Sequence, residues 1–132
     1  MNNELDKSFI SLIETFKKLR GPNGCPWDKA QTHQTLIKCL KEESQEVICA
    51  IENNDDENLK EELGDLMLQV IFHALIAEEQ NRFTLKDVID RLNNKLISRH
   101  PHVFGSAKAS TPEEALAQWK ASKLKEKSNK NK

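Results

Sequence analysis

Tyrosine is absent from the chain, aromatic residues make up only 5% of it, and glycine and proline number four each. With β-branched and aromatic runs this scarce, composition favours helices over a core built from strands. Neither sign of charge is in excess: 20 basic against 21 acidic side chains leave a net −1, which offers no bulk attraction to nucleic acid or membrane. No apolar run reaches the roughly 18 residues of a membrane-spanning helix. Met1-Asn2-Asn3-Glu4 has neither the basic nor the apolar region of a secretory leader. Cys25, Cys39 and Cys49 form an odd, scattered set without C-x-x-C, which suits reduced thiols better than a disulfide framework. A cytoplasmic location is therefore expected.

What the chain has in quantity is helical periodicity. Its 132 residues, 31% of them charged, suffice for one domain with a modest core. Residues 4–19 carry Phe9, Leu12, Ile13, Phe16 and Leu19 on one helix face. Two glycines and two prolines between Arg20 and Asp28 end that helix. Trp27 in this loop is expected to plug one end of the core, and Asp28 with Gln31 reads as a helix start. Two long helices follow, over about 32–52 and 56–80, with Cys39 and Cys49 read as packing residues and His73 as an ordinary packed or solvated one. Thr84 opens a fourth helix with Val88, Ile89, Leu92 and Leu96 on its apolar face; it should stop near His100, since Pro101 follows. Thr111-Pro112-Glu113-Glu114 opens the last helix. The folded domain is assigned to residues 1–125, and the polar, Lys-rich residues 126–132 are expected to be a disordered tail.

The two long helices carry the chemistry. The first holds an E-x-x-E at Glu43 and Glu46, the second an E-x-x-D at Glu62 and Asp65. Residues three apart share a helix face, so each motif projects two carboxylates together. An antiparallel hairpin turning at Asn54 sets Glu43 opposite Asp65 and Glu46 opposite Glu62. Leu36, Leu40, Val47 and Ile51 stripe the first helix; Leu59, Leu63, Leu66, Met67, Val70 and Ala74 stripe the second. The acids thus border the core. A single E-x-x-E is far more readily a solvated helix face. Four converging carboxylates repel one another and resist desolvation, and a hard divalent cation removes that conflict. All-oxygen ligation suits Mg2+, with Mn2+ as a substitute, better than zinc. Gly64, between the two acids of the second motif, leaves room for another backbone or a ligand. Lys95 and Arg99, one turn apart, could grip the outer phosphates of a triphosphate. Trp119 could stack on a base, with Lys123 adding a phosphate contact. Glu42 or Glu46 could take the proton of an attacking water, and the sequence does not choose between them.

The run Arg20-Gly-Pro-Asn-Gly-Cys-Pro-Trp-Asp28, then Gln31-Thr-His33, Leu40-Lys-Glu-Glu-Ser-Gln-Glu46, Glu61-Glu-Leu-Gly-Asp65, Gln69-Val-Ile-Phe-His-Ala74 and Arg99-His-Pro-His-Val-Phe104 resembles the MazG family of nucleoside triphosphate pyrophosphohydrolases. The likeness covers about residues 8–125. It implies an all-α bundle built on a long helix hairpin, and hydrolysis of NTPs or dNTPs to monophosphate and pyrophosphate by attack at the α-phosphorus. By position it implies metal binding at Glu43, Glu46, Glu62 and Asp65, phosphate binding at Lys95 and Arg99, and the family's W-x-x-x-K at Trp119 and Lys123. It also implies a homodimer or higher assembly. Two departures stand out: longer members carry two such modules in tandem where this chain has one, and Lys120 stands where an acidic residue is frequent. Alternatives at this point are a base-selective relative acting on dUTP, dCTP or phosphoribosyl-ATP, a non-catalytic helical interaction module, and a di-iron bundle, which the absence of E-x-x-H at these motifs disfavours.

Overall fold

The structure is a computed structural model and describes residues 3–130. Those residues form seven helices and no strand: α1 (Asn3–Arg20), α2 (Pro26–Ala30), α3 (Ile37–Glu52), α4 (Asp56–Glu79), α5 (Leu85–Ser98), α6 (Pro101–Phe104) and α7 (Pro112–Lys130). The all-α class expected from composition is the one found. The chain falls into two compact units, the first ending at Leu85 and the second beginning at Lys86.

The first unit is organised by the α3–α4 hairpin. Asn54 turns the chain in the left-handed region at φ 53°, which asparagine tolerates better than most residues. Asp55 caps α4, its carboxylate accepting from the Asn58 N–H at 3.1 Å. The core joins Phe16, Leu36, Ile71, Phe72, Leu75 and Ile76, with Ile13, Cys39 and Leu85 packed against it. Phe16 of α1 meets Phe72 edge-to-face at 5.7 Å. This core lies toward the end of the hairpin away from its turn. The expected apolar stripes are therefore covered only in part: Leu40, Ile51, Leu63, Met67 and Val70 stay between 38% and 57% exposed. Cys49, expected to pack, is exposed as well.

Between α1 and α3 the structure departs from the sequence reading. The helix start placed at Asp28 lies at Pro26, whose fixed φ suits a first helical position, and α2 ends at Ala30. Trp27 does not plug the core but is 58% exposed. That end is closed by Arg20, stacked over the Phe72 ring at 5.2 Å and bound through Nε and Nη2 to both oxygens of Glu79. Gly24 is obligatory here, since a Cβ would lie 2.2 Å from the Leu19 carbonyl oxygen. The second helix begins at Ile37 rather than near Thr32, because Thr32 and Thr35 exchange hydroxyl-to-backbone bonds of 2.8 and 3.2 Å and so divert those N–H groups from a helix.

A chain of donors ties this loop to α4. Arg82 reaches His33 Nε2, and His33 Nδ1 lies 2.7 Å from Nδ1 of His73, the two rings stacked within 5° of parallel. A guanidinium only donates, so His33 accepts at Nε2 and carries its proton on Nδ1. His73 then accepts at Nδ1 and carries its proton on Nε2, which is buried without a partner. Burial, and next the neighbouring His33, hold the pKa of His73 below its ordinary value.

In the second unit α7 starts as expected: Thr111 accepts from the Glu114 N–H at 3.2 Å, and Glu114 reaches back to the Ser110 N–H at 2.7 Å. The helix continues to Lys130, so residues 126–130, expected as tail, are helical. Glu126 is bonded to Ser98 and Arg99, a tie that composition does not reveal. Residues 131 and 132 lie outside the described residues. The apolar face expected on α5 is open, with Ile89, Leu92 and Leu96 between 39% and 51% exposed.

Candidate functional site

Each E-x-x-E/D motif sits on one face of its helix, and the tight turn sets the register between them. The result is one cluster: Glu43, Glu46, Glu62 and Asp65 each offer a carboxylate oxygen, all within 4.8 Å of one another. Glu46 is exposed and the other three are half-buried. One oxygen of Glu43 and one of Glu62 are buried with no hydrogen-bond partner. Burial raises the Glu43 pKa first, followed by Glu46 and Asp65 nearby. Glu62 is pushed up to about 7, chiefly by its hydrogen bond with Glu46, then by burial and by the charges of Glu46 and Glu43. Glu62 is influenced most by Glu46, the residue expected opposite it, whereas Glu43 is influenced more by Glu46 on its own helix than by Asp65 across the hairpin.

These residues fit a divalent cation. Oxygens on opposite sides of one ion are separated by about twice the metal–oxygen distance, roughly 4.2 Å for magnesium and 4.8 Å for calcium, and no pair in the cluster is farther apart than 4.8 Å. The two orphaned carboxylate oxygens are acceptors in need of a positive partner. The donor set is all oxygen, which suits hard cations. Beside it lies a cleft of about 440 Å³ lined by Glu42, Gln45, Glu46, Cys49, Asn58 and Glu62. Glu42, one of the two candidate bases, is outside the four-acid cluster and lies 3.9 Å from Lys38. Asn58 went unread in the sequence, although its spacing of four from Glu62 puts it on the same face.

The second unit holds the other predicted residues. Arg99 stacks over Trp119 at 5.1 Å, and His100 meets Trp119 nearly edge-on at 5.2 Å. Lys95 and Arg99 line one cleft of about 510 Å³ with Arg91, Asn94, Ser98, Glu126 and Asn129. Lys123 is exposed on α7 and is not part of that cleft's wall. Glu126, which fills Arg99's donors, was missed because a Lys-rich terminal stretch signals no fixed position.

Among the described residues the chain is thus all-helical, with a carboxylate centre astride a tight hairpin in the first unit and an Arg–Trp pair beside a basic cleft in the second. The chain is a member of the MazG nucleotide pyrophosphohydrolase domain family, whose signature matches residues 31–104. It is 50% identical over 92% of its length to the nucleoside triphosphate pyrophosphohydrolase/pyrophosphatase MazG of Thermotoga maritima, of which it covers 46%. It is 42% identical over 97% of its length to the nucleoside triphosphate pyrophosphohydrolase of Escherichia coli K12, covering 48% of that protein. The chain thus spans about half the length of these curated relatives. Among solved structures, a mazG-related protein from Thermotoga maritima superposes with a TM-score of 0.70 at 33% identity, over 89% of this chain and 98% of that one.

Proposed function

We propose that the protein hydrolyses nucleoside triphosphates, ribo or deoxyribo, to the monophosphate and pyrophosphate. Water adds at the α-phosphorus, the bond to the α,β-bridging oxygen breaks, and pyrophosphate leaves with that oxygen. The observation that carries the reading is the four-acid cluster, with its carboxylate oxygens within 4.8 Å of one another and two of them buried without partners. Membership of the MazG family and the names of its relatives support it.

Glu43, Glu46, Glu62 and Asp65 would hold Mg2+, or Mn2+ in its place. A cation there supplies a water of lowered pKa and offsets charge growing on the phosphoryl oxygens. Glu46, in the cluster yet exposed, is better placed than Glu42 to take a proton from the water. Lys95 and Arg99 bind phosphate oxygens, Arg99 with its plane already set by Trp119. Trp119 contributes a flat apolar surface for a base, and Lys123 one more cation.

We also assign the protein to the cytoplasm and to a homodimer or larger assembly. Its three cysteines are unpaired, and no helix among the described residues is long and apolar enough to cross a membrane. The assembly is supported by apolar side chains left open on α3, α4 and α5.

The test is to incubate the purified protein with each NTP and dNTP, with and without magnesium, and to measure pyrophosphate against orthophosphate. Magnesium-dependent pyrophosphate release is expected. Orthophosphate release would contradict attack at the α-phosphorus, and no turnover by a folded protein would favour an interaction module.

A further inference from the structure

Arg99 meets a carboxylate in this structure. Glu126 Oε2 accepts from Arg99 Nε at 3.2 Å and Nη2 at 3.0 Å, while Oε1 accepts from the Ser98 hydroxyl at 2.5 Å. The Nε–Nη2 edge is the fork with which a guanidinium grips two oxygens of a phosphate. Arg99 is 14% and Glu126 35% exposed at the side chain, so the pair is partly withdrawn from water. We propose that Glu126 is a positioning residue that occupies this fork until a polyphosphate displaces it, and so sets how tightly the cleft takes its anion. This rests on the reading of Arg99 as a phosphate ligand.

Two features carry it. First, the cleft is lined by three cations, Arg91, Lys95 and Arg99, with Glu126 as its one carboxylate; a polyphosphate would be drawn to the cations and repelled by Glu126. Second, the guanidinium plane is held by Trp119 independently of Glu126, so Arg99 remains aimed when the carboxylate leaves. An anion that must first displace a bonded partner binds more weakly by the fraction of molecules in which the site is open.

The full chain is titrated calorimetrically with inorganic tripolyphosphate, free of divalent cation so that the carboxylate cluster takes no part. Glu126→Gln keeps the side chain's shape and removes its charge. It is expected to bind tripolyphosphate roughly fivefold more tightly than the parent, and to lower KM for whichever triphosphate is turned over. Arg99→Ala is expected to weaken binding and to abolish the effect of Glu126→Gln when the two are combined. A role confined to pinning α7 would lower thermal stability in Glu126→Gln and leave affinity untouched. If Arg99→Ala weakens binding while Glu126→Gln leaves it unchanged or weaker, the displacement idea is overturned and the phosphate reading stands. If Arg99→Ala has no effect, both fall.

Discussion

Glu62 is held in a protonation state that its neighbours impose. Its pKa of about 7, raised chiefly by the hydrogen bond with Glu46, means that the folded protein binds a proton there that the unfolded chain, with an ordinary carboxyl, has released. A raised acid stabilises the fold below the unfolded value and loses that contribution as pH climbs through the folded one. In metal-free protein, the stability of Glu62→Gln relative to the parent should therefore rise between pH 5 and pH 8, read as a difference in Tm. A flat difference would refute the coupling. His73 acts with the opposite sign: its lowered pKa contributes stability above about 6.5 that is lost on acidification. Turnover is the sharper readout. Glu62→Gln and Asp65→Asn should each reduce it by more than the roughly 100-fold that even the outer partners of a metal ligand cost, with the helical circular dichroism kept. Near-normal rates in either variant would remove the site. The four acids were legible because i, i+3 spacing is a one-dimensional signal. The His33–His73 contact was not, because it joins residues 40 apart through a loop whose path no periodicity describes.

At the scale of elements, the α3–α4 turn shows how closely residue chemistry sets geometry. The run 52–56 reads as a polar turn in the sequence, and it closes with Asn54 at φ 53° and Asp55 as cap. Asp55→Ala should cost about 1 kcal/mol, seen as a lower Tm, with a further loss of metal affinity as the first turn of α4 frays. Retained stability would show that the cap is dispensable. Gly64 has nothing within 4 Å of where its Cβ would stand, so Gly64→Ala should stabilise the isolated chain by up to about 1 kcal/mol. If that space serves a ligand or a second copy, the same change lowers activity. Helix ends at Glu52, Asp56 and Pro112 were legible because caps and prolines are local. Those near residues 26–37 were not, since Pro26 and the Thr32 and Thr35 hydroxyl bonds, local as they are, break one expected helix into a short α2 and a later α3.

Across the whole molecule, the buried core is small beside the apolar surface that stays open. Leu63, Met67 and Val70 on the hairpin are 48% to 49% exposed, an expanse that a monomer seldom presents to water. Val70→Lys should shift the protein to a smaller species in sedimentation, with its helical signal kept. An unchanged mass would place the assembly surface elsewhere. The sequence reading expected these stripes to be covered, because periodicity marks an apolar face without saying whether its cover comes from the same chain.

The carboxylates lie eight to eleven residues from the reversal at Asn54, about 12–16 Å along the helix, while the phenylalanine-rich packing grips the two rods farther out. Mutual repulsion therefore loads a span supported at both ends. Without a cation such a span would be expected to loosen at its centre while its supports stay seated. The loosening should register as faster amide exchange around residues 43–47 and 62–66, with the turn and the Phe72 region remaining protected. A small ion in the middle would then act as a tie-rod.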